Sequence, residues 1–445
     1  MGRTAVAALI TALSFSLQAQ APRDVDDILA QVRTKLRSMT SRLPRYTCVQ
    51  TVERHYYRHA EQKNSPSCDQ MAADRKMGRF KQQLYATDRL RLDVAVSGGR
   101  EIVAWAGASK FDSRTPDEVI GEGPTGTGAF GLYLVDIFNN SGTHFQYLGE
   151  KASGDRRVLE YRFTNPLKAS NYRIRGNGEW HFTAYDGTFQ VDAQSLELQK
   201  LDLRTDELPE DTGMCESSTS LEYQRLKVGE SEFLLPLQGD LRILQRDGKE
   251  TSNVTTFSSC HEYHTDSTIR FEEAPEAETA RGESAAAERH GLPVGLSLAL
   301  ALTAKIDTNT AAAGDLVTAK VARAVREPKS KTVLIPAGAI ARGRITRMRH
   351  RIGGPDDFVI LISFDSVEIN GVASPLFIRL DSAAQLERAR ITNLSASRRS
   401  RMMDHQGPET WGALLFPAAK SYVVPAGYES EWLTIEPPAP KTEAK

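Results

Sequence analysis

The sequence predicts a mainly β protein with two β-rich domains, on three observations. Short strand-like segments, rich in β-branched and aromatic residues, follow one another between residues 158 and 271. A strand, corner, strand motif occurs twice, as V-L-I-P-A-G-A at residues 333–339 and Y-V-V-P-A-G-Y at residues 422–428. Residues 272–291 are rich in Glu, Ala and Gly, which is typical of a flexible linker between domains.

Length and charge set outer bounds on function. A chain of 445 residues is long enough for two to four domains, each with its own core. The 56 Lys and Arg residues nearly balance the 57 Asp and Glu residues. Such a balance gives no general attraction to polyanions, so no nucleic-acid partner is expected.

Residues 1–21 have the pattern of a signal peptide. Arg3 precedes an apolar run at residues 4–17, and A-Q-A at residues 19–21 matches a signal-peptidase site. The run is shorter than the roughly 20 residues that span a bilayer, so we expect cleavage and no transmembrane helix in the mature chain. Cleavage after residue 19 or residue 21 stays open. The expected location is the periplasm or the outer-membrane periphery of a diderm bacterium.

Export would place the cysteines in an oxidising compartment. The sequence has four, and an even count there predicts disulfides, with three possible pairings. Proximity in sequence favours Cys48–Cys68 and Cys215–Cys260, with free buried thiols as the alternative. The absence of C-x-x-C argues against a redox-active pair or a zinc knuckle.

The first folded element is predicted to be a helix at residues 24–43. It has an acidic first turn, an apolar stripe at helical spacing, and Pro44 after its end. Residues 46–57 and 89–96 follow as strands, because they are rich in aromatic and β-branched residues or alternate apolar with polar ones. The apolar stripe is expected to cover this sheet.

A glycine-rich loop at residues 121–131 follows. Its end, G-T-G-A-F-G at residues 126–131, has the form G-x-G-x-x-G, but it lacks the preceding strand and the later acidic residue of a dinucleotide site. We therefore expect no cofactor, and a loop that leads into a short helix at residues 132–138 with Thr127 as its cap.

The strongest hairpin prediction is a turn at Asp186-Gly187, between strands at residues 179–185 and 188–192. More strands are predicted up to residue 263, which gives an antiparallel meander. The long helix, these strands and Y-D-G-T-F-Q-V-D-A-Q-S-L-E-L at residues 185–198 resemble periplasmic LolA and RseB-type proteins. The resemblance implies a LolA-like open antiparallel half-barrel domain at residues 24–271, with an N-terminal helix against its concave face and a cavity for lipid or lipoprotein.

The second domain is predicted at residues 292–436, followed by a disordered tail at 437–445. It begins with an alternating strand at residues 292–302 and has an Asn370-Gly371 hairpin turn. The order of its corners resembles the C-terminal β-barrel of TrbI-type proteins of type IV secretion. The resemblance implies a small β-barrel or sandwich. Residues 386–412 are polar and basic where that family has an apolar membrane-crossing segment, so no pore is expected.

Candidate sites in the sequence are few. Arg347, Arg349 and Arg351 alternate, which would place three guanidinium groups on one strand face suited to an anion; a solvated basic face is the alternative. The spacing of His261 and His264 is one residue short of the zincin motif, so no metal site is expected. No residue pattern predicts a catalytic group.

These patterns predict an exported, non-catalytic envelope protein that acts as a binding or scaffold module. Its expected partners are an envelope protein or a lipid, and an oligomer is compatible with that role. The first alternative is a lipid or lipoprotein carrier that uses the half-barrel cavity. The second is a hydrolase whose site is not visible in the sequence.

Overall fold

The structure is a computed structural model, and it is mainly β, as the sequence predicts. It describes residues 25–42, 45–59, 66–97, 100–108, 111, 116–120, 123–205, 208–262, 292–354, 356–381 and 413–437. Residues 1–21, 272–291 and 386–412 lie outside these ranges, as does the tail beyond residue 437. The predictions of a signal peptide, a linker, a polar insertion and a disordered tail therefore stay predictions.

The structure contains both helices that the sequence predicts, at residues 24–43 and 132–138, and two further short ones. They are α1 Val25–Arg42, α2 Cys68–Lys76, α3 Pro116–Ile120 and α4 Leu132–Phe138, with a 3-10 turn at Glu210–Thr212. The prediction of α4 is confirmed, but Thr127 as its cap is wrong: the N-cap residue is Gly131, and no side chain caps the helix. Among the described residues, no helix combines the length and the apolar character that crossing a bilayer requires.

The N-terminal region is one open antiparallel sheet. Its strands pair in the order β4-β5-β8-β9-β10-β11-β12-β1-β2-β3, and β6 and β7 form a separate hairpin. The strands are β1 Tyr46–His59, β2 Gln82–Ser97, β3 Arg100–Trp105, β4 His144–Ser153, β5 Arg156–Asn165, β6 Arg173–Gly176, β7 Glu179–Phe182, β8 Tyr185–Asp192, β9 Leu198–Thr205, β10 Met214–Val228, β11 Ser231–Gln245 and β12 Glu250–Glu262.

Helix α1 covers this sheet through its apolar stripe. Ile28, Val32 and Leu36 are buried in one cluster with residues of α4 and of the central strands, among them Phe138 and Phe189. Burying side chains of this size stabilises a fold by roughly 1.5–3 kcal/mol each. The apolar stripe therefore supplies most of the free energy that holds α1 in place.

The predicted turn at Asp186-Gly187 is wrong. Both residues lie inside β8, and the hairpin turn is Asn177-Gly178, where φ is 48° and 90°. A type I′ turn needs positive φ at both central residues, which this pair supplies. Gly187 serves packing instead: a Cβ there would lie 1.9 Å from the carbonyl oxygen of Asp202 on β9.

The C-terminal region is built from short antiparallel strands around a second core. The strands are β13 Ser297–Leu302, β14 Ile306–Asp307, β15 Leu316–Val321, β16 Val325–Arg326, β17 Val333–Ile335, β18 Ile340–Arg351, β19 Asp357–Ile369, β20 Val372–Pro375, β21 Ile378–Leu380, β22 Ala413–Pro417, β23 Val423–Val424 and β24 Glu429–Thr434. The pairs β21–β24, β24–β13, β13–β15, β15–β18, β18–β19 and β19–β20 follow one another around this core. The predicted turn at Asn370-Gly371 is confirmed between β19 and β20.

The repeated Pro-Ala-Gly corner is confirmed as a structural repeat. Gly338 donates its N–H to Val321 O at 2.8 Å, and Gly427 donates to Leu302 O at 2.7 Å. Both glycines have positive φ, 84° and 80°. Each corner therefore joins a strand to a neighbouring strand through the same backbone contact.

The two regions meet along one edge of β2. Residues 86–88 of β2 pair with β18, and residues 92–97 pair with β3. Between them, Ala313 exchanges backbone hydrogen bonds with β2: its O accepts from Arg91 N at 2.6 Å, and its N donates to Arg89 O at 2.9 Å. Covering the edge in this way satisfies backbone groups that would otherwise be open to pairing with another chain.

The disulfide pairing favoured from sequence proximity is wrong. The structure joins Cys48 to Cys260 and Cys68 to Cys215, with Cα–Cα distances of 4.1 and 5.3 Å. Cys48 lies on β1 and Cys260 on the neighbouring β12, so antiparallel pairing brings together residues 212 positions apart. Separation along the chain is a poor guide here because the sheet joins its first strand to its last.

Candidate functional site

Two arginines of helix α1 fix it to α4. Arg33 Nε donates to Phe138 O at 3.0 Å, and Arg37 Nε donates to Asn139 Oδ1 at 2.9 Å. Cations at a helix C-terminus satisfy its open carbonyl groups and oppose its dipole. These contacts set where α1 lies across the sheet.

On its other side, α1 contacts the turn between β8 and β9. Asp192 Oδ1 accepts the N–H groups of Gln194 and Ser195, at 3.0 and 2.7 Å. Leu196 then takes a left-handed conformation with φ 56°, which is unusual for a residue with a branched apolar side chain. The turn presents Ser195 O to Lys35 Nζ of α1, at 2.6 Å.

Three charged groups meet beside this turn. Lys35 Nζ lies 3.2 Å from Glu197 Oε1, and Arg225 Nε on β10 donates to both oxygens of Glu197 at 3.0 and 3.1 Å. The Arg225 guanidinium, and after it Lys35, hold the pKa of Glu197 below its ordinary value against the effect of partial burial. One carboxylate therefore joins the helix to the sheet.

Next to this ion-pair group, a cleft of about 1020 Å³ opens between α1 and the sheet. Its floor is apolar, with Leu36, Leu198 and Leu234 buried. Its walls and rim are lined by Asp27, Ala30, Gln31, Thr34, Lys35, Ser38, Met39, Leu196, Glu197, Arg225, Ser231, Glu232 and Phe233. A concave site with apolar residues and a few polar groups is the usual form of a small-molecule site.

The glycine-rich loop has a structural role. Glu101 on β3 accepts the backbone N–H groups of Gly128 and Phe130, at 2.9 and 3.0 Å. Burial raises the pKa of Glu101, and these two hydrogen bonds oppose the shift. The loop amides that a phosphate would need are already bound to a carboxylate of the protein.

The three arginines of the predicted anion site lie on β18, but only Arg347 and Arg349 are near side chains of the N-terminal sheet. Arg351 makes a two-point ion pair with buried Asp357, at 2.6 and 2.7 Å. The Arg349 guanidinium lies 4.8 Å from the centre of the Tyr56 ring. Arg347 and Arg349 line a small cleft of about 190 Å³ at the junction of the two regions. An anion site at these residues stays a prediction, and the Arg351 contact shows that this residue also has a structural role.

The opposite face of the N-terminal sheet carries a shallow polar depression of about 380 Å³. Its lining alternates arginines with aspartates across neighbouring strands, and Arg204 lies 3.9 Å from Asp186. The lining residues are Arg162, Asp186, Gly187, Thr188, Asp202, Leu203, Arg204, Ser218, Thr219, Ser220, Asp240 and Arg242. The arrangement is typical of a solvated sheet face.

Metal ligands are not brought together in the part of the chain that the structure describes: no three His, Cys, Asp or Glu residues form a candidate set there. His261 bonds to Thr47 across β1 and β12, at 3.0 Å, and His264 lies outside the described residues. The cleft was missed in the sequence because its floor residues belong to three separate segments, Leu36, Leu198 and Leu234. Only the resemblance to half-barrel proteins indicated that a cavity would lie there.

Comparison by sequence finds no match, either to a family model or to a curated protein. Among solved structures, the chain is similar to an outer membrane lipoprotein-sorting protein domain from Vibrio parahaemolyticus, with 10% identity, a TM-score of 0.28, and coverage of 55% of this chain and 96% of that one. It is similar to a DUF1329 family protein from Desulfovibrio piger, with 11% identity, a TM-score of 0.25, and coverage of 55% and 95%.

A third similar structure is ComB10 of the Com type IV secretion system of Helicobacter pylori, with 11% identity and a TM-score of 0.19. The match covers 32% of this chain and 86% of ComB10. Both kinds of protein that the sequence resembles, lipoprotein-sorting proteins and type IV secretion proteins, therefore occur among these structures.

Proposed function

We propose that this chain is an exported binding protein of the cell envelope that holds the apolar part of an amphipathic molecule, such as the acyl chain of a lipid or lipoprotein. One observation carries the proposal: the cleft of about 1020 Å³ between α1 and the sheet. Sites for small ligands usually enclose roughly 300–1,000 Å³. The cleft is thus large enough for a long aliphatic chain.

The lining supports an aliphatic ligand. Buried Leu36, Leu198 and Leu234 form the floor, and Met39 and Phe233 lie above it, half-buried. Each Å² of apolar surface removed from water contributes about 25 cal/mol, so a chain lying on this floor gains affinity along its length. The long, flexible side chain of Met39 can adapt to ligands of different shape.

The rim supports a polar end on the same ligand. Lys35 and Arg225 flank Glu197, and the carboxylates of Asp27 and Glu232 also line the cleft, so the rim is rich in charged groups of both signs. The polar end of an amphipathic ligand would contact these charged side chains, and its apolar tail would follow the floor. The carrier role therefore fits the cleft better than a purely structural scaffold does.

Domain organisation and location complete the proposal. Two domains, at residues 24–271 and 292–436, are joined through residues 272–291, and the edge contacts of β2 hold them together. The two disulfides fit an oxidising compartment, which supports export to the periplasm or the outer-membrane periphery.

The test is the binding of cis-parinaric acid, a fluorescent long-chain fatty acid, to the exported chain. Ser38 lines the cleft, and Ser38→Trp would fill it, whereas Ser41 on the same helix is exposed and does not line it. We expect saturable binding to the wild type, at least a tenfold loss in Ser38→Trp, and unchanged affinity in Ser41→Trp. Equal binding to all three proteins, or none to the wild type, would show that the cleft does not hold a fatty acyl chain.

A further inference from the structure

Leu196 combines a left-handed backbone with a side chain that lines the cleft. Its φ is 56°, a region in which a Cβ crowds the backbone, so glycine and asparagine are the usual residues there. Among the described residues other than glycine, positive φ occurs also at two asparagines, a serine and a lysine, and Leu196 is the one with an apolar side chain. A leucine at this position therefore costs free energy that glycine or asparagine would avoid.

The turn between β8 and β9 holds Leu196 in this conformation. Leu196 N donates to Asp192 O at 2.9 Å, and Asp192 N donates to Glu197 O at 2.9 Å. The carboxylate of Asp192 accepts two further N–H groups of the same turn. Strained backbone persists where the surrounding structure over-determines it, and such residues cluster at functional sites.

Helix α1 fixes the same turn from the other side of the cleft mouth. Lys35 Nζ contacts both Ser195 O, at 2.6 Å, and Glu197 Oε1, at 3.2 Å. These two residues flank Leu196, so the turn cannot rotate without breaking a contact to α1. The Leu196 side chain, half-buried against the core, is thereby held in the cleft wall before any ligand binds.

The position of Leu196 sets which part of a ligand it contacts. It directly precedes Glu197 of the charged rim, and buried Leu198 of the floor is two residues further on. On the function proposed above, on which this inference rests, the polar end of the ligand lies at the rim and the tail follows the floor. Leu196 therefore lies beside the carbons next to the polar end.

We propose that Leu196 is a specificity-determining contact, which selects aliphatic ligands whose carbons next to the polar end carry no polar substituent. A methylene group placed against leucine gains apolar contact and loses little, because it makes no hydrogen bonds to water. A hydroxyl group placed there gives up its hydrogen bonds to water and finds no partner on the leucine side chain. The ligand class is thus an unsubstituted acyl chain, and a 3-hydroxyacyl chain is disfavoured.

Competition against cis-parinaric acid tests the proposal on the exported, disulfide-bonded chain. We expect palmitic acid to displace the probe at roughly three- to tenfold lower concentration than 3-hydroxypalmitic acid. Leu196→Asn should bring the two competitors within about twofold of each other, because asparagine suits a left-handed backbone and offers an amide to the hydroxyl group. Leu196→Met keeps a flexible apolar side chain and should keep the preference.

Lys331 offers a matched control. It lies exposed in the turn between β16 and β17, with φ 58°, and it does not line the cleft. Lys331→Asn relieves the same kind of backbone strain and should leave the preference between the two acids unchanged. Thermal unfolding separates ligand contact from folding: Leu196→Asn should melt no lower than the wild type, because relief of strain offsets the lost apolar packing.

Four results would overturn the proposal: equal displacement by the two acids in the wild type, an unchanged preference in Leu196→Asn, equal loss of binding in Leu196→Asn and Leu196→Met, or a clearly lower melting temperature of Leu196→Asn. The last would show that the leucine serves the packing of the turn. No binding of cis-parinaric acid to the wild type would reject the proposed function, and this inference with it. Binding without selectivity rejects this inference alone, so the two failures are distinguishable.

Discussion

Lys35 on helix α1 and Glu197, the residue before β9, lie 3.2 Å apart, and this contact joins the helix to the sheet at the cleft mouth. Lys35 is 43% exposed and Glu197 is 14% exposed. Exposed ion pairs contribute about 0–1 kcal/mol, much less than the buried stripe of α1. The pair therefore positions the mouth of the cleft and contributes little to the stability of the fold.

The first prediction concerns Glu197 and pH. Its pKa is lower in the folded state than in the unfolded state, so its contribution to stability is present above the unfolded pKa and is lost as pH falls through the folded one. Glu197→Gln should cost less than about 1 kcal/mol near neutral pH. This difference should shrink as the pH falls below the unfolded pKa of about 4.3, and it should vanish below the lowered folded pKa.

Thermal unfolding from about pH 3 to pH 7 measures this effect. Glu232→Gln, at the exposed rim of the same cleft, is the control. The assignment fails if the difference between wild type and Glu197→Gln is the same in acid as at neutral pH.

The second prediction concerns the disulfides. Non-reducing peptide mapping should find Cys48 linked to Cys260 and Cys68 linked to Cys215. Replacing both Cys68 and Cys215 by Ala should lower the free energy of unfolding by about 2–5 kcal/mol, because each bridge closes a long loop in the unfolded chain. Recovery of a Cys48–Cys68 peptide would contradict the strand order of the N-terminal sheet.

The third prediction concerns a buried ion pair between β1 and β2. Arg54 donates to both oxygens of Asp88, at 2.6 and 2.8 Å, and Tyr56 Oη donates to Asp88 at 2.9 Å. Asp88→Asn should cost about 3–5 kcal/mol, because it leaves a buried guanidinium without its charged partner. Denaturant unfolding measures the loss.

Glu53→Gln is the matched control for Asp88→Asn. Glu53 pairs with Arg89 on the same two strands, but 46% of its side chain is exposed, so its loss should cost about 0–1 kcal/mol. Equal costs for the two substitutions would mean that Asp88 is not buried as described.

The fourth prediction concerns Gly187. A Cβ there would meet the Asp202 carbonyl at 1.9 Å, so Gly187→Ala should cost about 1–3 kcal/mol or more through displaced backbone. At Gly126 the nearest atom would lie 3.5 Å away, and Gly126→Ala should change stability by less than about 0.5 kcal/mol. Thermal unfolding of the two variants measures these changes in stability. An unchanged stability of Gly187→Ala would contradict the close contact between β8 and β9 at this residue.

The sequence predicted those elements whose signals are local. Helix α1 follows from an apolar stripe within one segment, and the two Pro-Ala-Gly corners follow from fixed backbone preferences. Asp186-Gly187 and Asn177-Gly178 are both good hairpin turns locally. What separates them is the packing of Gly187 against β9, which is a contact between distant parts of the chain.

Pairing between strands that are distant in the sequence accounts for the other features that the sequence did not predict. The partner of Cys48 depends on β1 lying beside β12, and the contact between the two regions depends on β18 lying beside β2. Neither pairing leaves a pattern in a single segment. The cleft depends on the same kind of information, because Leu36, Leu198 and Leu234 come together only when the sheet is assembled.

Photolabelling tests the central claim most directly. A fatty acid that carries a diazirine near the end of its chain would be bound to the exported protein, activated, and its attachment sites mapped by peptide mass spectrometry. The proposal predicts adducts on the peptides that contain Leu36 and Met39 of α1 and Phe233 and Leu234 of β11. Adducts confined to the C-terminal region, or labelling that unlabelled fatty acid does not reduce, would contradict it.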